Sequence, residues 1–252
     1  MKEQTHILGI RFDNMSREEL SENIKEMLSS DKTSYIVTPN PEIVECAQQD
    51  DGYKKILNCA DLSIADGVGV ELASHLLCET ALKRIPGIEI GEMIMSICAE
   101  SGDGVFFLGG KQGVAKLAAE NMQKKYEGLV VSGTHHGYFP QKCNNLIRKR
   151  INQSGAKVLF VCMGFPYQEK WIYENRDRLH SVRVVIALGG SLDVYSGNVK
   201  RAPRFLCDAG LEWAWRAVCS PLHFKRVMKL PLFVRHVAEE KLIRSQKKSS
   251  NK

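Results

Sequence analysis

Val158-Leu159-Phe160-Val161-Cys162-Met163, six apolar residues in a row, runs straight into Gly164-Phe165-Pro166 and then into the helical period of Gln168 to Arg178. A strand with one face in water alternates apolar and polar side chains. This one does not, so both of its faces must be covered. The same order recurs along the chain. Val105-Phe106-Phe107-Leu108 meets Gly109-Gly110 and a helix over Val114 to Tyr126, and Tyr35-Ile36-Val37-Thr38 meets Pro39-Asn40-Pro41 and a helix over Glu42 to Gln49. Leu62-Ser63-Ile64-Ala65 meets Asp66-Gly67 and a helix over Val68 to Leu77, and Val184 to Leu188 meets Gly189-Gly190-Ser191.

Strand, turn and helix in this alternation predict an α/β protein with a Rossmann-like, mainly parallel sheet flanked by helices. Ligands of such sheets bind outside the carboxyl ends of the strands, where the Gly, Asn and Asp residues above all fall. With 252 residues, 44% hydrophobic and 25% charged, the chain is long enough for one large core. No apolar run reaches the roughly 18 to 20 residues that cross a bilayer, and Met1 to Ile10 lacks the apolar core of a signal peptide. The expected location is the cytoplasm. Cys46, Cys59, Cys78, Cys98, Cys143, Cys162, Cys207 and Cys219 are scattered through mostly apolar stretches, without a C-x-x-C pair, and are expected to be reduced core residues.

The net charge of +6 is concentrated at one end. Phe224 to Lys252 hold nine Lys or Arg against two acids, a net +7, which leaves −1 on the other 223 residues. After about Ala202, Trp213, Trp215, Phe224 and Phe233 interleave with Arg216, Lys225, Arg226, Lys229 and Arg235, and Pro221 and Pro231 are expected to break the stretch into short helices. The organisation read from this is an α/β domain over residues 1–202 and a basic, helical, membrane-associating appendage over 203–252, frayed from Ser245 onward. Such a tail suits an anionic leaflet. A near-neutral body argues against nucleic acid as the partner, and self-association is left open.

Gly109-Gly110-Lys111-Gln112-Gly113 offers backbone N–H groups and a helix N-terminus to a phosphate, or is simply a tight turn. Leu108 stands where G-x-G-x-x-G needs its first Gly, and no acid ends Leu129-Val130-Val131-Ser132, which argues against a nicotinamide enzyme. Asp66 can accept a proton from a substrate hydroxyl or cap the helix that follows. Asn40 carries the same two readings, and Thr38 is either a site residue or an ordinary β-branched strand residue. Gln168 and Glu169 fit a first helical turn, complementing its dipole, or Gln168 hydrogen-bonds a sugar or uracil edge. His135 and His136 are expected to point apart on a strand, without a shared metal ion. The sequence contains no Asp-x-Asp pair for a divalent cation.

Taken together, Thr38-Pro39-Asn40, Ala65-Asp66-Gly67-Val68-Gly69, Arg84-Ile85-Pro86-Gly87, Phe107-Leu108-Gly109-Gly110, Gly137-Tyr138-Phe139, Gly164-Phe165-Pro166-Tyr167-Gln168-Glu169, Gly189-Gly190-Ser191-Leu192-Asp193, Arg201-Ala202-Pro203 and Gly210-Leu211-Glu212-Trp213 resemble the WecG/TagA/CpsF glycosyltransferase family, in family order. The resemblance implies an inverting, metal-independent transfer, with no cofactor, from a UDP-sugar to undecaprenyl-diphosphate N-acetylglucosamine at the inner face of the cell membrane. The branch it looks closest to uses UDP-N-acetylmannosamine, for wall teichoic acid or a related surface glycan. UDP-N-acetylmannosaminuronic acid or UDP-glucose as donor, or a non-catalytic nucleotide-binding role, are the alternatives.

By the same resemblance Asp66 corresponds to the family's proposed general base, and Thr38, Asn40, Arg84 and Gln168 to substrate-binding positions. Asp193 joins them from its own motif. Without a metal cluster, the diphosphates are expected to meet Arg84, the Gly109 and Gly110 amides, and Arg216, Arg226 and His223 of the appendage. The sequence departs from the family at Tyr167, where a Lys or Arg is common, at Glu89, where an Asp usually follows the turn, and at His223, where an Arg is usual.

Overall fold

The computed structural model describes residues 3–78, 81–219 and 230–250. Its centre is a six-stranded, all-parallel sheet in the order β4-β3-β8-β7-β5-β6, with β3 Ser34–Val37, β4 Leu62–Ser63, β5 Val105–Gly109, β6 Val131–His135, β7 Val158–Cys162 and β8 Val184–Ala187. The apolar runs behave as expected of strands covered on both sides. Tyr35, Leu108, Leu159, Val161 and Val185 enter one core, while Ile36, Phe107, Val158, Phe160 and Ile186 enter the other. Strand periodicity alone produces this split, because successive side chains leave opposite faces.

The helices divide between the two faces. α2 Pro41–Gln48, α3 Asp51–Asn58, α4 Val68–Leu77, α7 Asn144–Gln153 and α8 Tyr167–Asn175 supply buried residues to the first core. α1 Arg17–Ser29, α5 Gly87–Ser101, α6 Val114–Lys125 and the short α9 Ser191–Tyr195 supply the second. The chain leaves β5 through α6 towards β6 on one side, and leaves β7 through α8 towards β8 on the other. A topological switch point therefore lies between β5 and β7.

An N-terminal hairpin, β1 Glu3–Ile7 with β2 Ile10–Asn14, went unread in the sequence. Its two-residue turn holds Leu8 at φ 51° and Gly9 at φ 75°. That backbone favours Asn-Gly over Leu-Gly, and burial of Leu8 in the first core offsets the strain.

Beyond the sheet come α10 Arg204–Asp208, α11 Glu212–Cys219 and α12 Leu230–Ser250. Gly210, at φ 73°, lies so close to Val68 of α4 that a Cβ would sit 2.9 Å from its Cβ. α12 is one helix of 21 residues, and Pro231, expected to break the stretch, stands at its second position, where a missing N–H costs nothing. The helix continues through Ser245 to Ser250. It packs on α2 and α4 with Phe233 and Val237 buried, and Glu240 Oε2 accepts from the Leu8 N–H at 3.0 Å. Arg244 donates to the Leu77 and His6 carbonyls at 2.7 and 2.9 Å, and His236 Nδ1 sits 2.9 Å from Oε2 of the wholly buried Glu45. Pro221, Phe224, Lys225 and Lys229 lie outside the described residues.

The seven described cysteines are free, as expected, but only Cys98 and Cys162 are buried, and Cys59 is exposed. Burial pushes the Cys98 thiol up to about 12. Among the described residues no helix is long and apolar enough to cross a membrane, and no group of three His, Cys, Asp or Glu could hold a metal ion.

Candidate active site

The exits of the strands form a row at the carboxyl edge of the sheet: Asp66 after β4, Thr38 after β3, Gly189 after β8, Gly164 after β7 and Gly109 at the end of β5. Four strand spacings of about 4.8 Å put roughly 19 Å between the two ends of this row.

At one end, the Asp66 N–H donates to the Pro39 carbonyl at 3.1 Å, which ties the β4 and β3 exits together. The cap position of α4 is Gly67, at φ 93° and without a side chain, so Asp66 stands one residue outside the cap that the sequence offered it. Its carboxylate is half-buried. Gly87 opens α5 directly against it: a Cβ there would lie 2.8 Å from Thr38 Oγ1 and 3.4 Å from Asp66 Oδ2. Thr38 is buried, with its hydroxyl 3.4 Å from the Ala187 carbonyl. Carboxylate, hydroxyl and an uncapped helix N-terminus thus converge.

Asn40 takes its capping role, accepting from the Ile43 N–H at 2.9 Å as N-cap of α2, with Pro41 at the first helical position. Arg84 spans two elements. Its Nε lies 3.6 Å from Glu71 Oε2 on α4, and a terminal nitrogen donates to the Cys207 carbonyl on α10 at 3.3 Å.

At the other end the glycine loop is tighter than a phosphate cradle of free amides. Gly110 donates its N–H to the Cys162 carbonyl at 3.0 Å and accepts from Gly137 N–H at 2.9 Å. A Cβ on Gly109 would lie 2.1 Å from that same Cys162 oxygen. The expectation of a free Gly110 amide is therefore corrected: the switch point is closed by backbone packing, and the open helix N-terminus is Gly113, the cap position of α6. Asp193 is half-buried beside this loop. Burial raises its carboxyl above the ordinary range, and the Lys111 charge across from it works against that rise.

His135 and His136 do not point apart. The strand ends at His135, the chain turns, and the two rings lie side by side, tilted by 32° with 4.5 Å between centroids, and His135 Nδ1 is 2.8 Å from the His136 carbonyl. Burial, with repulsion from His136 and Arg150, holds the His135 imidazole below its ordinary value.

Between the two ends sits Gln168, which is buried and whose Oε1 accepts from the Gly164 N–H at 3.2 Å and the Gly189 N–H at 2.9 Å. Its Nε2 donates to Glu169 Oε1 at 2.7 Å. Glu169, read from sequence as a first-turn acid complementing the helix dipole, is completely enclosed, and burial pushes its carboxyl up to about 7. Nothing in a Gln-Glu pair at a helix start signals that burial. The action of the Lys111 charge on Asp193 had no sequence signal either. Glu89, the departure after the turn, bonds Arg17 and Arg201; burial raises its carboxyl, but the two guanidiniums outweigh that and hold it low. Arg226 and His223 lie outside the described residues, as does the side chain of Arg216.

The fold is a doubly wound α/β one, and this row brings a carboxylate, a hydroxyl and two helix starts to the carboxyl edge of its parallel sheet, the edge at which such folds bind ligands. The chain belongs to the glycosyl transferase WecG/TagA/CpsF family, whose model matches residues 5–247. Among its relatives is the N-acetylglucosaminyldiphosphoundecaprenol N-acetyl-beta-D-mannosaminyltransferase of Staphylococcus aureus strain MRSA252, 36% identical over 237 residues, 93% of this chain and 92% of that one. The same protein from strains NCTC 8325 / PS 47 and COL is similar to the same extent.

Proposed function

We propose that the protein transfers N-acetylmannosamine from its UDP conjugate to undecaprenyl-diphosphate N-acetylglucosamine, with inversion, in the assembly of wall teichoic acid or a related surface glycan. The observation that carries the reading is the half-buried Asp66 carboxylate, one residue outside the α4 cap and packed against Thr38 and the start of α5. In this reading Asp66 takes the proton of the acceptor hydroxyl as that oxygen attacks the anomeric carbon, and the bond to the UDP oxygen breaks. The departing diphosphate gains negative charge, which Lys111 and the open end of α6 are proposed to meet, while Arg84, at the Asp66 end, is proposed for the acceptor's diphosphate. The row of strand exits is long enough for donor and acceptor to approach from opposite ends. Arg216, Arg226 and His223 are the further cations proposed for the lipid diphosphate.

The acceptor's lipid chain calls for a membrane surface. Leu242, on the side of α12 away from the buried Phe233 and Val237, and Val234, Lys241 and Ile243 on its flanks are all exposed, and these residues are proposed to rest on anionic lipid at the inner face. The reaction is tested with a panel of UDP-sugars and a short-chain lipid-diphosphate acceptor, with and without EDTA, reading UDP release. UDP-N-acetylmannosamine is expected to be the productive donor and EDTA to leave the rate unchanged. Release of UDP with another donor alone, or none at all, defeats the substrate assignment, and loss of the rate in EDTA defeats metal independence.

A further inference from the structure

Beneath the row of strand exits lies a polar chain that reaches into the first core. Glu169 is 1% exposed, and the tyrosines that face it, Tyr35 of β3 and Tyr53 of α3, are both 0% exposed. Among the described residues, Glu169 Oε2 and the Tyr35 and Tyr53 hydroxyls make no hydrogen bond of good geometry, although the Tyr53 hydroxyl lies near enough to act on the Glu169 carboxyl. Outside that group, Cys46 lies near Tyr53, and Arg176 acts on Tyr35. A carboxyl held there without a cation is expensive to keep, so what it does for the one side chain with which it makes a well-formed hydrogen bond matters.

That partner is Gln168. Its amide has two orientations that occupy the same space, and only one is compatible with its surroundings. With Oε1 facing Gly164 and Gly189, two backbone donors are satisfied by one acceptor. Flipped, the NH2 group would confront two N–H groups and its oxygen would confront the Glu169 carboxyl. Glu169 Oε1, by accepting from Nε2, selects the first orientation.

We infer that Glu169 is a positioning residue: it fixes the orientation of Gln168, and through that amide it holds the loops leaving β7 and β8 in the relative position the site requires. The inference rests on the reading of the strand exits as the substrate site, but its physical content, a carboxyl that locks an amide that locks two loops, does not need a substrate to be measured.

The first measurement therefore uses the wild-type protein without ligand. The Glu169 carboxyl, the Gln168 side-chain NH2 and the Gly164 and Gly189 amides are followed by NMR through neutral pH. Their resonances are expected to move together, with the carboxyl's midpoint at about 7. The second uses variants. Glu169→Leu leaves Nε2 without an acceptor, so hydrogen exchange at Gly164 and Gly189 is expected to accelerate by about tenfold or more. The KM for the nucleotide sugar should rise by about fivefold or more, with kcat per folded molecule changed less. Glu169→Gln, which retains an oxygen acceptor, should restore both. A purely structural role would lower the folded fraction and leave KM alone.

The inference is overturned if Gln168 and the two glycines ignore the Glu169 titration, or if Glu169→Leu folds with glycine protection and KM unchanged. Should Glu169→Leu not fold, the wild-type titration decides alone. Failure of the reaction assignment looks different: no UDP is released by the wild-type protein from any donor, while the ligand-free titration is unaffected.

Discussion

Gly87 and Asp66 have to be considered together, because the first residue of α5 leaves room for Thr38, beside that carboxylate, only by having no side chain. Asp66→Asn keeps size and shape but not basicity, so turnover is expected to fall by at least about 10²-fold, the low end of what base catalysis contributes, with thermal unfolding little changed. Near-normal turnover in that variant would return Asp66 to a structural role. Gly87→Ala approaches the same site sterically. Its Cβ would press to 2.8 Å from Thr38 Oγ1, and Thr38, buried and β-branched, cannot swing away. Overpacking of this kind costs about 1–3 kcal/mol. Displacement of Thr38 and Asp66 should also lower kcat by roughly tenfold or more. A variant less stable but equally active would place the reaction elsewhere. Glu169 makes a prediction of a different kind. Its carboxyl sits at about 7 in the fold against an ordinary value of 4.5, so the fold favours the protonated form. That contribution is complete below the unfolded value and is lost as pH rises through the folded one. Relative to Glu169→Gln, wild-type stability should therefore decline between those two values, by about 3 kcal/mol in total, and level off above. Parallel stability-against-pH curves for the two proteins would contradict the burial.

At the scale of elements, α12 is bound into the body. Its buried stripe, Phe233, Val237, Glu240 and Arg244, follows the spacing of one helix face and meets α2, α4 and the N-terminal hairpin. Phe233→Ala should destabilise the whole protein by about 3–5 kcal/mol, read from urea unfolding. A dangling appendage would register within about 0.5 kcal/mol. The sequence did not reveal this docking, since basic residues dominate the segment's composition and its two deep apolar contacts are only two among many. The strands were easier. β3, β5, β7 and β8 fall within a residue or so of where unbroken apolar runs put them, because burial on both faces leaves no polar residue to blur the signal. β4 is shorter than its run, two residues instead of four, as it pairs on one side only. α4 is legible to the residue, while the hairpin was hidden by a Leu at a turn position where Asn or Gly is expected. Asp66 was visible because a strand-end acid before Gly has few roles. Gln168 and Glu169 were only half visible: polar side chains give no sign in a sequence of being enclosed.

For the molecule as a whole, the charge division matters most: a body near neutrality and a +7 end, with the carboxyl-edge site on the body. Deleting Phe224 to Lys252 would be the simplest test of whether the basic end holds the enzyme to lipid. The fold makes that test ambiguous, because Phe233 and Val237 would leave the core with it. Substitutions confined to the outward stripe of α12 avoid the difficulty. Lys241 is exposed and Leu242 is 64% exposed, so replacing both by Gln leaves the buried stripe intact. One basic residue at an anionic surface contributes about 1 kcal/mol, and a Leu side chain entering the interface about 1.5 kcal/mol or more. Together these predict at least about 70-fold weaker partition onto anionic vesicles, with unfolding shifted by no more than about 0.5 kcal/mol. Neutral vesicles should capture the wild-type protein poorly, and high salt should release it from anionic ones, because the attraction is screened within about a Debye length. Equal partition of the double variant and the wild type, measured by vesicle sedimentation, would remove α12 from the membrane contact and leave the acceptor's lipid to be met elsewhere.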